Sequence, residues 1–147
     1  MMTEAVKTDI KFIIFKLLEK EYAIPVENVR SIEKVMHITR VPKVNSYIKG
    51  VINLRGVVTP IIDLRERFSL EESEYNVHTR IIIVKIENKE VGLIVDSAND
   101  VLDISMNAIE PQPNVVGSIE ADFISGVAKI DRRLLILLKL EVILTND

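Results

Sequence analysis

The chain contains no cysteine and no tryptophan, only two histidines, and few aromatics, three tyrosines and four phenylalanines. Without thiols, a disulfide framework and a thiolate-bound metal are excluded, and a reducing compartment is compatible. His37 and His78 lie far apart in polar stretches. A metal or catalytic site needs converging ligands, so each imidazole reads as an ordinary surface residue. No glycine-rich phosphate loop, dinucleotide fingerprint or zinc-protease motif occurs. Asp63, Asp96, Asp103 and Asp131 fall at strand ends or turns, where a carboxylate accepts backbone N–H groups, and no spacing among them argues for an acid and base pair. The expectation is a protein that is not an enzyme and carries no cofactor or metal.

Long apolar runs are missing too. The longest, Val91 to Val95 and Leu134 to Leu138, fall far short of the ~20 residues a membrane helix requires. The start, Met1-Met2-Thr3-Glu4, lacks a basic region, so no signal peptide, no direct membrane insertion and a cytoplasmic location are expected. A net charge of −3 without a basic stripe argues against nucleic acid, as does the shortage of aromatics on which bases could stack. A small-molecule carrier would need a closed apolar cavity with convergent polar groups. Binding to other proteins is the class left open.

What is present is the composition of a globular domain: 147 residues, 48% hydrophobic and 28% charged. Such a chain buries roughly 68 to 70% of its unfolded surface. Three segments read as hairpins: Asp9 to Leu18 with Tyr22 to Val26 across Glu19-Lys20-Glu21, Arg80 to Ile86 with Glu90 to Val95 across Glu87-Asn88-Lys89, and Phe123 to Ile130 with Leu134 to Leu140 across Asp131-Arg132-Arg133. A fourth is centred on Arg55-Gly56, and shorter strands at Val29 to Val35 and Val101 to Ile104 bring the total to roughly ten. Such close spacing points to small barrels or a sandwich. The runs Ile81 to Val84 and Leu134 to Leu138 do not alternate, so both of their faces must be covered. A polar bridge at residues 69–76 suggests two similar halves. Pro60 cannot donate to a ladder and marks an edge or a bulge. Short helices are expected at Ser46 to Lys49, Leu64 to Phe68 and Leu140 to Leu144, and a loop over Asn114 to Asp122.

The segment Gly50 to Arg65, GVINLRGVVTPIIDLR, sets one fixed cation, Arg55, at the tip of an otherwise apolar strand pair. Gly56 can take positive φ in a two-residue turn. Arg55 is then either a solvated turn residue or the polar rim of a docking surface to which Val26, Val29 and Ser31 contribute, and patterning alone favours the two valines as core.

The run from Tyr47 to Arg65, YIKGVINLRGVVTPIIDLR, closely resembles the signature of the CheW family of chemotaxis coupling proteins. Further matches are Tyr22 to Val26 with Val29 soon after, Val91 to Asp96, Asp100-Val101-Leu102, Phe123 to Gly126 and Leu134 to Leu138, so the likeness spans about Asp9 to Leu144. The resemblance implies an all-β fold with short helices: two five-stranded SH3-like β-barrel subdomains packed on a shared core, within a single domain over residues 1–147, with strands open to exchange between them. It implies a non-catalytic adaptor that couples the cytoplasmic tips of methyl-accepting chemoreceptors to a chemotaxis histidine kinase through its regulatory domain, recruited to membrane receptor arrays. A coupling protein of a related non-flagellar chemosensory pathway is the alternative. By matching position, Val26, Val29, Arg55, Gly92 and Val101 would face or support the receptor groove, while Ile32, Lys49 and Gly50 would lie at the kinase contact. Ser31 departs from the family pattern, where an acid is frequent, which puts an ion pair from that position in doubt. The length leaves no room for a further domain, so a free-standing coupler is expected.

Overall fold

The computed structural model describes residues 9–111, 115–116 and 119–145. The strands are β1 (Asp9–Leu17), β2 (Lys20–Pro25), β3 (Val29–Lys34), β4 (Ile48–Leu54), β5 (Val57–Asp63), β6 (Arg80–Ile86), β7 (Lys89–Val95), β8 (Ser97–Ser105), β9 (Ile109–Glu110), β10 (Val115–Val116), β11 (Ile119–Glu120), β12 (Ile124–Ile130) and β13 (Arg133–Leu138). Two one-turn helices, α1 (Leu64–Arg67) and α2 (Leu140–Ile143), follow β5 and β13. The fold is therefore all-β with short helices, and it has a few more strands than the sequence announces because β9, β10 and β11 are only two residues long.

Two sheets carry the structure, in the orders β8-β1-β2-β13-β12-β9 and β3-β6-β7-β5-β4, with β10-β11 a separate pair. Leaving out β9, the two orders are the same once β1 is matched with β6, β2 with β7, β3 with β8, β4 with β12 and β5 with β13. The registers agree residue by residue. Gly50 stands opposite Ile61 after a bulge, and Gly126 opposite Leu137 after another. The parallel contacts place Ile61 against Gly92 and Leu137 against Ala23. Each half thus lends its first hairpin to the other half's sheet. The polar stretch at 69–76 joins α1 to β6 inside the five-stranded sheet, so the chain crosses between sheets elsewhere, at the 3-10 turn Val26–Asn28 and between Val95 and Ser97.

Reciprocal exchange accounts for the unbroken apolar runs. Along β6, Ile82 and Val84 face the core shared between the sheets, while Ile81 and Ile83 face the interior of their own sheet with Ile52, Ile61 and Ile94. Both faces are covered by protein, so alternation has no solvent face to record. The equivalent interior of the six-stranded sheet holds Phe12, Ile14, Ala23, Leu135 and Leu137. Leu134 is the exception, 46% exposed, because pairing with β2 begins only at Leu135.

Neither ladder closes through its edge strands, and in both the chain itself crosses the gap. After β3, Thr39 pairs with Val51 of β4, with N–O distances of 2.8 Å in both directions. After β8, β9 pairs with β12, Glu110 opposite Val127. At each closure a glycine admits the returning backbone. A Cβ on Gly50 would lie 2.0 Å from the Thr39 carbonyl oxygen, and one on Gly126 would lie 2.8 Å from that of Glu110.

Three local expectations need correction, and one holds. Residues 46–47 form a turn and β4 begins at Ile48, so Ser46 to Lys49 is not helical; cross-strand pairing with β5 outweighs a four-residue helix that cannot nucleate alone. Within Asn114 to Asp122 the described residues form β10, β11 and the start of a 3-10 turn, and residues 114 and 117–118 lie outside the described residues. The three-residue hairpin turns shrink to two, at Leu18-Glu19, Glu87-Asn88 and Asp131-Arg132, with positive φ at Leu18, Glu87, Asp131 and Arg132. Two-residue turns of this hand match the strand twist, so Lys20, Lys89 and Arg133 join the ladders. Pro60 does sit at an open position, since β7 covers β5 only from Ile61 onward.

Candidate functional site

The β4–β5 hairpin forms because Arg55 (φ 52°) and Gly56 (φ 84°) both take left-handed conformations, and Asn53 Oδ1 accepts the Gly56 N–H at 2.9 Å. Nothing lies within 4 Å of where a Gly56 Cβ would stand, so the tip is open. Arg55 is 74% exposed and reaches Glu33 on β3 at 3.7 Å. A pair at that separation with its cation in solvent is worth under about 1 kcal/mol, which leaves the guanidinium ready for another acceptor. The acid that holds Arg55 is thus Glu33 and not residue 31; Ser31 lies two residues earlier on β3, and its Oγ is buried with no hydrogen-bond partner among the described residues. Val57 and Val58 follow the turn, with Val58 64% exposed.

β3 is the common element of the predicted contacts. Val29 opens it, half-buried against the shared core beside Val26 of the 3-10 turn. Ile32, 40% exposed, stands opposite Ile82. On the other sheet Val101, 49% exposed, stands opposite Ile13. Ile13 and Ile82 are matched positions, so Ile32 and Val101 are the same place on two edge strands. The sequence could not show that pairing, because strand order is set by long-range contacts.

The three remaining candidates are not presented in the same way. Gly92 is buried; a Cβ there would meet Ile61 Cδ1 at 2.6 Å and Ile81 Cγ2 at 2.8 Å, so it underpins the five-stranded interior and faces no groove. Gly50 is buried at the closure described above. Lys49 is half-buried and paired through Nζ to Glu66 Oε1 at 2.6 Å. These two support the loop at residues 38–46, which with Glu66 and Tyr75 lines an open groove of about 680 Å³.

Sequence reasoning missed the charged contacts that tie α1 and the strand ends together. Arg65 of α1 forms a two-pronged contact with Asp96, whose Oδ2 also accepts the Leu18 N–H at 2.7 Å, tying α1 to the β1–β2 turn. The hydrogen bond to Asp96 pushes the Arg65 pKa up against the opposing effect of burial. Arg133 is bidentate to Glu21 at 2.9 and 2.8 Å and reaches Asp100 at 3.0 Å. That hydrogen-bonded guanidinium lowers the Glu21 pKa. Asp63 caps α1 through the Arg65 and Glu66 N–H groups and accepts the Tyr75 hydroxyl at 2.7 Å. Tyr75 is pushed well above the usual phenol range, first by burial and then by that carboxylate. Asp63 and Asp96 therefore serve as caps and anchors, as their places at strand ends suggest, whereas Asp103 pairs with exposed Lys11 at 3.1 Å. Exposed His37 and His78 belong to no metal-holding group among the described residues.

A family model described as a CheW-like domain matches residues 11–147. The chemotaxis protein CheW of Bacillus subtilis is 47% identical over 146 residues, covering 99% of this chain and 94% of that protein. That of Klebsiella aerogenes is 34% identical over 137 residues, covering 93% of this chain and 82% of that one. The crystal structure of the scaffolding protein TtCheW from Thermoanaerobacter tengcongensis matches with a TM-score of 0.88 and 35% identity, covering 100% of this chain and 95% of that one. With the β fold, the Arg55 hairpin and a match along almost its whole length, the chain belongs to the CheW family of chemotaxis scaffolding proteins.

Proposed function

We propose that the protein is a non-catalytic adaptor that holds a chemoreceptor's cytoplasmic tip and a histidine kinase's regulatory domain in one assembly, in the cytoplasm at membrane receptor arrays. The observation that carries this reading is the matched pair of exposed apolar residues. Val101 and Ile32 occupy equivalent positions on edge strands of different sheets, which supports two related docking faces that share β3 between them. Val26, Val29 and Val101 belong to the receptor face, with Gly92 as its buried support and Arg55 as its cation. Ile32 and Lys49 belong to the kinase face, supported by Gly50. Each sheet acts as one subdomain, with the first hairpins exchanged. Signal passes only if contact free energy differs between receptor states, since equal affinity for both shifts nothing.

The test is co-elution of the full chain with an isolated kinase regulatory domain and with a receptor-tip fragment. Val101→Arg should lose the receptor fragment and keep the kinase domain, and Ile32→Arg should do the reverse. A folded variant that loses both partners, or neither, contradicts the division into two faces.

A further inference from the structure

The matching of the two halves extends past the strands and converges on Arg67. Leu137 and Ile61 are counterparts through Gly126 and Gly50, so Phe123 matches Tyr47, Lys139 matches Asp63 and Ile143 matches Arg67. The backbone agrees, since the Asp63 N–H donates to the Tyr47 carbonyl and the Lys139 N–H to that of Phe123, both at 2.8 Å. The Arg67 guanidinium lies over both rings of the matched pair, 4.5 Å from the Tyr47 centroid and 4.8 Å from that of Phe123. Its Nε donates to the carbonyl of Ile143, its own counterpart, at 3.0 Å, and its Nη2 to those of Val142 and Thr145 at 3.1 and 3.2 Å. A residue that bonds its own counterpart and covers both members of a matched pair stands where the two halves meet. A planar fork can lie on rings and cap the end of α2 at once, whereas an ammonium cannot do both.

A second tie joins the halves on one side only. Arg65 of α1 holds Asp96 at the crossover from β7 to β8, and Asp96 accepts the Leu18 N–H of the other sheet. Gly92 and Ala23 are counterparts, so Asp96 matches Glu27, and Arg65 matches Glu141. Two exposed acids thus take the place of the pair, and among the described residues neither forms an ion pair. The crossover without a tie is the 3-10 turn that carries Val26 and leads to Val29. Apolar contact across the shared core is non-directional. The angle between the sheets on the Val26 side therefore rests on Arg67.

We propose that Arg67 is a positioning residue for receptor docking: by fixing the angle between the sheets it holds Val101 of one sheet in place relative to Val29 and Arg55 of the other. That role presupposes the two docking faces described above, of which only the receptor face spans both sheets. Ile32 and Lys49 of the kinase face lie on the five-stranded sheet alone, so the kinase face does not sense the angle.

The test uses the full chain carrying Arg67→Lys, and a second variant, Phe123→Leu, which removes one ring and keeps the carbonyl bonds should the lysine variant not fold. Residual dipolar couplings in a weakly aligned sample report the orientation of each sheet. One alignment should fit both sheets of the parent, whereas each variant should need two. Arg67→Lys should bind the receptor-tip fragment at least about fivefold more weakly, Phe123→Leu should follow in the same direction, and both should keep the parent's Kd for the isolated kinase regulatory domain. A general loss of stability would weaken both partners alike. Equal weakening of the two partners, unchanged receptor binding, or a single alignment for both sheets in a folded variant would overturn the proposal. Failure of Ile32→Arg and Val101→Arg to separate the partners would instead strike the two faces themselves, and the docking role of Arg67 with them, whatever the alignments show.

Discussion

Gly50 and the carbonyl of Thr39 are packed so closely that a side chain at residue 50 would overlap the backbone, with Cβ only 2.0 Å from the oxygen. That contact flanks the Thr39 and Val51 bridge through which the chain spans the open side of the five-stranded sheet. Gly50 also has φ 144°, outside the range that L residues favour. Gly50→Ala should therefore destabilise the protein by about 3 kcal/mol, combining overpacking against backbone with conformational strain. Gly56→Ala, also at positive φ but in open space, should cost only about 1 kcal/mol. Urea denaturation of both variants checks the difference; equal losses would show that φ alone governs.

Arg55 should matter for association and little for folding. Its ion pair with Glu33 is long and its own guanidinium is exposed, so Arg55→Ala should change stability by under about 0.5 kcal/mol. Binding of the partner that uses the tip should weaken at least about tenfold, the value of one charge-assisted hydrogen bond. Arg55→Lys should recover only part of it, because an ammonium cannot present the planar fork. Thermal melts beside pull-downs measure both quantities, and unchanged recruitment by folded Arg55→Ala removes Arg55 from the docking surface.

The Asp63 carboxylate divides its work, with Oδ1 on the α1 N–H groups and Oδ2 on Tyr75. Asp63→Ala should cost about 1–2 kcal/mol, as a lost cap does, and more if the Tyr75 hydroxyl is stranded. Tyr75→Phe should cost about 1 kcal/mol. A double-mutant cycle should return a positive coupling between the two, whereas additivity would mean that the hydroxyl contact contributes nothing.

Acid should loosen the six-stranded sheet through Glu21. Its folded pKa lies below the unfolded value of 4.5 because Arg133 hydrogen-bonds the carboxylate. The unfolded chain therefore takes up the proton first, and the stabilisation is full above the unfolded value and fades as pH falls through the lower folded one. Glu21→Gln should be less stable than the parent by about 1 kcal/mol near neutrality, and the gap should shrink below pH 4.5. A gap independent of pH would mean that Arg133 responds to shape and not to charge.

Much of the fold was legible locally. Continuous runs such as Ile81 to Val84 require cover on both faces, and the structure supplies it with the shared core on one side and a sheet interior on the other. Hairpins were visible because a turn is a local event, although the two-residue geometry moved Lys20, Lys89 and Arg133 into strands. The polar bridge at 69–76 suggested two similar halves, but which residues correspond was not visible. Lys16, Lys20 and Glu21 recur as Lys85, Lys89 and Glu90, yet three shared residues carry no weight until the registers place them in matching strands.

The candidate site was legible in a different way. Arg55 stood out because it is a charge between apolar strands, whereas Val101 and Ile32 came only from the family resemblance; both are exposed. Gly50 and Gly92 looked alike with them in the sequence, but both are buried, since a glycine letter cannot say whether its missing side chain makes room for a partner or for the protein's own backbone and side chains. Glu33, the residue that holds Arg55, gave no signal because β3 and the β4–β5 turn meet only when the sheet curls.

By itself, the order of residues determined that the chain is β-rich, where its hairpins turn and which cation sits at a tip, because these follow from side-chain period and backbone freedom over a few neighbours. Only the tertiary structure decided which hairpin joins which sheet, which glycines are filled by the protein itself, and that Ile32 and Val101 are counterparts. Those outcomes depend on contacts between residues dozens of positions apart, where local preferences exert no force.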